Sequence, residues 1–158
     1  MMNATDAIKL SQATRQVERE LQTARLKAVS ANQPIRVRFD CPATGQYRMV
    51  ELVGTPTVPA SADSAANRCA LASYPYPAAD SNVLTRPNHD GPLRTIDPSV
   101  SFSGATTIEF WPDGSAHTNS AGTDPWPAIA GTGTMVTLVR KSITKSILVN
   151  GVGKIQIQ

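Results

Sequence analysis

The chain predicts an α+β fold, a long N-terminal α-helix packed on antiparallel β-sheets, and two observations carry that reading. Residues 5 to about 32 contain neither Gly nor Pro and repeat small and apolar side chains at alternating steps of four and three. From Ile35 onward the period drops to two, in short runs separated by Gly, Pro, Asn and Asp. A helix followed only by strands that can pair as hairpins is an α+β arrangement. The 158 residues are enough for one domain with its own core.

The helical stripe is Leu10, Thr14, Val17, Leu21, Ala24, Ala28 and Ala31. Thr5 is the candidate N-cap, with Asp6 in the first turn, and Pro34 ends the helical stretch. The stripe is narrow and shrinks to alanine toward its C-terminal end, which suits close approach to a flat sheet. It is too thin for a strong coiled coil. Such a helix is about 42 Å long, so its N-terminal half is expected to project from the rest or to pack on a partner. The chain accordingly divides into a helix over 1–33 and a β-rich globular part over 34–158.

Ile35-Arg36-Val37-Arg38-Phe39 alternates, with Ile35, Val37 and Phe39 inward, and Gln46–Val53 forms its hairpin partner across Ala43-Thr44-Gly45. Residues 54–98 hold seven prolines and form a long irregular excursion, with brief strands expected near Leu84 and over Leu93–Ile96. Strands resume at Val100–Phe102 and Thr107–Trp111, the latter closed by the turn Pro112-Asp113-Gly114. Residues 118–134 read as a second loop. Met135–Arg140 and Ser146–Asn150 are strands joined by a charged turn, and a turn at Gly151-Val152-Gly153 leads into a last strand over 154–158.

The net charge of +3 is unevenly spread. Residues 1–38 carry a balance of +4, residues 39–134 one of −5, and residues 135–158 hold Arg140, Lys141, Lys145 and Lys154 with no acid. Basic ends that meet in space would form a positive patch, although four basic residues are a thin footprint for nucleic acid. Cys41 and Cys69 sit in turn-rich surroundings, with neither CxxC nor His at metal spacing. They are either one disulfide in an oxidising compartment or two free thiols.

Enzymatic signatures are missing. His89 and His117 read as surface loop residues, and no Gly-x-Ser-x-Gly elbow or phosphate loop is present. Asp40 with Glu51, or Glu109 with Asp113, are carboxylate pairs of the kind any β-protein offers. Trp111 and Trp126 are able to stack a base or sugar, but packing is the commoner role. No catalytic residue, metal or cofactor is expected.

Three segments together resemble the GspH/FimT family of type IV pilin-like proteins. They are Leu21–Val29 continuing through Asn32-Gln33-Pro34-Ile35-Arg36-Val37, then Ile108-Glu109-Phe110-Trp111-Pro112-Asp113-Gly114, and finally Ser146–Asn150 with Gly153-Lys154-Ile155. The resemblance implies a long helix on a β-sandwich-like domain. It also implies a non-enzymatic minor subunit of a type IV pilus or type II secretion pseudopilus, placed at the tip or in assembly initiation.

The implied partners are other minor pilins or pseudopilins and the major subunit. The implied location is the inner membrane, with the globular part outside the cytoplasm, and then the filament. In that family an apolar segment follows a prepilin peptidase site ahead of the helix; this sequence opens Met1-Met2-Asn3, so a shortened soluble form is expected. Leu10, Val17, Leu21, Ala24 and Ala28 become the helix-packing candidates, the 54–98 excursion the source of subunit-specific contacts, and Cys41–Cys69 a disulfide favoured by export. Some family members resembling FimT bind DNA through a Gly-Arg-x-Arg pattern near the C-terminus. Here the matching stretch is Gly153-Lys154-Ile155-Gln156, with one basic position kept as Lys and the other replaced by Gln. DNA is therefore the alternative partner, through Lys154 with Arg140, Lys141 and Lys145.

Overall fold

A computed structural model describes residues 4–77 and 89–158. The helix α1 spans Ala4–Ala31. It ends where Asn32 turns to a positive φ of 55° and Gln33 N–H returns to the Ala28 carbonyl at 3.2 Å, closing the last turn before Pro34. Thr5, the expected N-cap, lies within the helix. Its neighbour Asp6 is buried and accepts bonds from Arg140 Nε at 2.8 Å and Lys141 Nζ at 3.1 Å. Two cations and the positive end of the helix dipole thus surround one carboxylate.

Among the described residues nine strands follow, all antiparallel. β1 (Ile35–Phe39), β2 (Gln46–Glu51), β3 (Arg94–Thr95), β5 (Ile108–Phe110) and β6 (Ala116–His117) form one sheet in the order β3-β2-β1-β5-β6. β4 (Ser101–Ser103), β7 (Thr134–Arg140), β8 (Ile143–Val149) and β9 (Ile155–Ile157) form the other in the order β4-β7-β8-β9. The expected hairpin registers as Val37 opposite Met49 and Phe39 opposite Tyr47. β8 begins earlier than its sequence pattern suggests. Arg140 pairs with Ile143, so the charged connection shrinks to Lys141-Ser142, with Lys141 at φ 54°. β6 is unexpected, and of the two brief strands expected in the excursion, Leu84 lies outside the described residues.

Helix α1 packs on strands of both sheets, and its buried stripe joins the core of Ile35, Val37, Ile108, Phe110, Val136, Leu138, Ile147 and Val149. The helix does not stand clear at its N-terminal half. Leu10 and Val17 are 1% and 0% exposed, because the β7–β8 hairpin reaches Asp6 and covers that half as well. An aromatic triad closes the other flank, with the Phe102 ring centroid 5.1 Å from Phe39 and 5.8 Å from Tyr47, and so ties the sheets together.

Candidate functional site

Two surfaces of α1 divide its work. The inner surface carries Leu10, Val17, Leu21, Ala24 and Ala28, each at most 1% exposed and set in the chain's own core. Half a turn away, Ile8, Arg15, Arg19 and Leu26 lie along the opposite surface, with Gln22 and Val29 beside them. Ile8, Leu26 and Val29 are 55%, 64% and 47% exposed. Among the described residues no helix is long and apolar enough to cross a membrane.

The helix is locked in place at its middle. Arg25 donates through Nε to the Gly114 carbonyl, and Gln22 Nε2 donates to the Ile155 carbonyl at 3.4 Å. Gly114 closes the turn after β5, with Gly114 N–H bonded to the Trp111 carbonyl at 2.8 Å. Beside it, Asp113 accepts the backbone N–H and hydroxyl of Ser115, which hold its carboxyl below the ordinary aspartate range. His117 is not a surface histidine. It is buried in β6, stacked on Trp111 with ring centroids 3.6 Å apart, and its Nδ1 donates to the Trp126 carbonyl at 2.9 Å.

The four basic residues of the DNA alternative occupy different places. Arg140 and Lys141 both meet Asp6 at the start of α1. Lys145 lies on β8 opposite Leu138. Lys154 lies beyond the far end of that strand and shares a shallow depression with Gln22, Arg25 and Val152. The seven residues of β8 put about 20 Å between Lys141 and Lys154.

The second notable region is the outer surface of the first sheet. Arg36 and Arg38 of β1 and Arg48 of β2 point away from the core, with Arg38 directly opposite Arg48. Arg36 is 3% exposed and Arg48 0%, because the excursion after β2 folds over them. Its backbone carbonyls accept their protons: Ala65 from Arg38 at 2.7 Å, Cys69 from Arg48 at 3.2 Å, and Gly91 from Arg48 at 2.6 Å. Arg36 also pairs with Glu109 at 2.9 Å and lies 4.0 Å over the Trp126 ring. Arg68, wholly buried, forms a two-pronged pair with Asp90 and caps the Tyr74 ring at 4.1 Å. Burial first, and then the neighbouring charges of Arg36 and Arg68, lower the pKa of Arg38.

A disulfide joins Cys41 to Cys69 and ties the excursion to the end of β1. Asp63 pins the same segment from inside, accepting the backbone N–H groups of Val53, Gly54 and Ala60. Sequence reasoning overlooked this arginine layer. The available signal was the alternation itself, since arginines on the outer side of a strand beside a long Pro-rich segment lie beneath that segment rather than in water.

Residues 13–153 match the family model described as Type II transport protein GspH. Among solved structures, the crystal structure of the Pseudomonas aeruginosa (strain PAO1) type IV minor pilin FimU matches with a TM-score of 0.53 at 12% identity, covering 94% of this chain and 92% of that one. At that identity the likeness is one of fold: one long helix on two antiparallel sheets. Among curated proteins, none matches the chain by sequence.

Proposed function

The chain belongs to the GspH family of type II transport proteins, and on that premise we propose that it is a minor pilin or pseudopilin whose task is structural. It takes its place near the tip of a type IV pilus or type II secretion pseudopilus, alongside other minor subunits and above the major one. Before assembly it resides at the inner membrane with its sheets outside the cytoplasm. The observation that carries this reading is the split of α1. One side is used up by the chain's own sheets, while the other presents Ile8, Leu26 and Val29 to the surroundings. Exposed apolar residues strung along a rigid helix are what a helix-to-helix contact between subunits requires.

The test is the double substitution Ile8→Asp with Leu26→Asp, read by co-purification with co-expressed minor pilins or pseudopilins. Thermal unfolding near that of the parent chain, together with loss of co-purification, supports the reading. Undiminished co-purification by the double variant overturns it.

Binding of DNA is the second reading, and the closeness of Lys154 to Arg25 in one depression favours it. It requires salt-sensitive retention of duplex DNA that Lys154→Ala weakens; retention unchanged by that substitution discards it.

A further inference from the structure

Between the excursion over the arginine layer and the loop that carries Trp126 lies a groove of about 450 Å³. We infer that this groove binds an acidic saccharide, with a sugar carboxylate held at Arg38. Its volume falls in the range of small-ligand sites, about 300–1,000 Å³.

The lining decides the chemistry. Of its eleven residues none is aliphatic, and seven carry a neutral hydroxyl or amide, among them Thr118, Asn119 and Ser120 along one rim. Such a surface gives nothing to a hydrocarbon side chain and offers both donors and acceptors to a polyol. The one apolar element is the indole of Trp126. It is 9% exposed and has Arg36 over its ring, so it shows the groove a strip rather than an open face. That strip suits the C–H edge of a sugar ring.

The charge pattern selects an acid. Arg38 lines the groove and donates to the Ser64 and Ala65 carbonyls, which are neutral. Among the described residues no carboxylate forms an ion pair with it. Asp63, the acidic residue of the lining, has its oxygens occupied by three backbone N–H groups. Arg36 is matched by Glu109. Asp63 acts on Arg38 from a distance, but the charges of Arg36 and Arg68 act on it more strongly. Of the two groove guanidiniums, Arg38, half-buried, is thus the one without an ion-pair partner among the described residues, and an added carboxylate gains a charge-assisted contact there without displacing another.

The experiment titrates the full chain with trigalacturonate, with maltotriose as the neutral control and inorganic phosphate as the bare anion. Backbone amide shifts report where each binds and calorimetry reports how tightly. The expected result is trigalacturonate binding with Kd on the order of 1 mM or tighter, with shifts at Thr118, Asn119 and Ser120. Arg38→Gln is expected to weaken it about tenfold. Asn119→Asp changes an exposed rim residue outside the core, so it keeps the fold while adding a repelling charge, and it should weaken the acidic ligand and spare the neutral one. Four results overturn the inference: no binding of trigalacturonate, shifts confined elsewhere, equal affinity for maltotriose, or phosphate binding as tightly as the sugar acid.

Discussion

Arg25 on α1 donates through Nε to the carbonyl oxygen of Gly114 at 3.0 Å, across 89 positions of sequence. Gly114 has a φ of +87°, and a Cβ built there would sit 2.7 Å from an Arg25 Nη atom. Gly153, at φ +84°, backs onto the same guanidinium and onto the Gly114 carbonyl. The Pro-Asp-Gly turn after β5 and the Gly-Val-Gly turn after β8 thus converge on one arginine of the helix. This gives a physical reason for glycine in both turns.

Gly114→Ala should therefore destabilise by about 2 kcal/mol, combining a strained φ with loss of the Arg25 bond as the guanidinium swings away from the new methyl. Arg25→Ala should cost about 1 kcal/mol, the scale of one hydrogen bond. Urea unfolding of the two variants checks the order; a larger loss for Arg25→Ala contradicts it.

Asp90→Asn should be among the most damaging single changes. It leaves the wholly buried Arg68 without its carboxylate, and breaking such a pair from one side costs about 3–5 kcal/mol. Replacing both partners with apolar residues of similar volume should recover much of that loss, which thermal unfolding of the double variant measures.

Cys69→Ser should lower stability by about 2–4 kcal/mol, since the bridge to Cys41 closes a separation of 28 residues. The loss should be visible first in faster hydrogen exchange at Asp63, Arg68 and Ala70, whose N–H groups bond within the tethered segment. Exchange there at the parental rate would show that the arginine layer holds the segment unaided.

Glu20 is buried on α1, and burial raises its pKa above the ordinary 4.5 despite Arg94 at 3.6 Å. A carboxyl with a raised folded pKa favours folding below its unfolded pKa, and that contribution is lost as pH rises through the folded value. Glu20→Gln should therefore raise the unfolding temperature at pH 7. The gain should shrink as pH falls toward about 4.5 and vanish below it. A pH-independent difference between the two proteins would count against this account.

Much of the fold was legible from local pattern. The absence of Gly and Pro over the 28 residues of α1, the switch to period two at Ile35 and the Pro-Asp-Gly turn each act within a few residues, where sterics and hydrogen bonding are set by neighbours in the chain. The apolar stripe of α1 from Leu10 to Ala28, buried in the core, was legible for the same reason. His117 was misread because its burial comes from β6 pairing with β5 and from Trp111, neither of which a His-Thr-Asn stretch signals. The early start of β8 was missed because Lys145 and Thr144 interrupt an apolar pattern that the β7 pairing overrides.

The sequence by itself determined a helix of one narrow inner stripe, a set of antiparallel strands and two cysteines in turns, because those follow from periodicity and turn chemistry. Only the tertiary structure decided that Arg36, Arg48 and Arg68 would form an interior layer, with Arg38 half-buried at its edge. It alone brought Arg25 against two distant glycines and set Asp6 between Arg140 and Lys141. A charge on the outer side of a strand has no preference between water and a covering loop until that loop supplies carbonyls and carboxylates to meet it. The carbonyls of Ser64, Ala65 and Cys69 and the carboxylate of Asp90 arrive from 21 to 27 residues away.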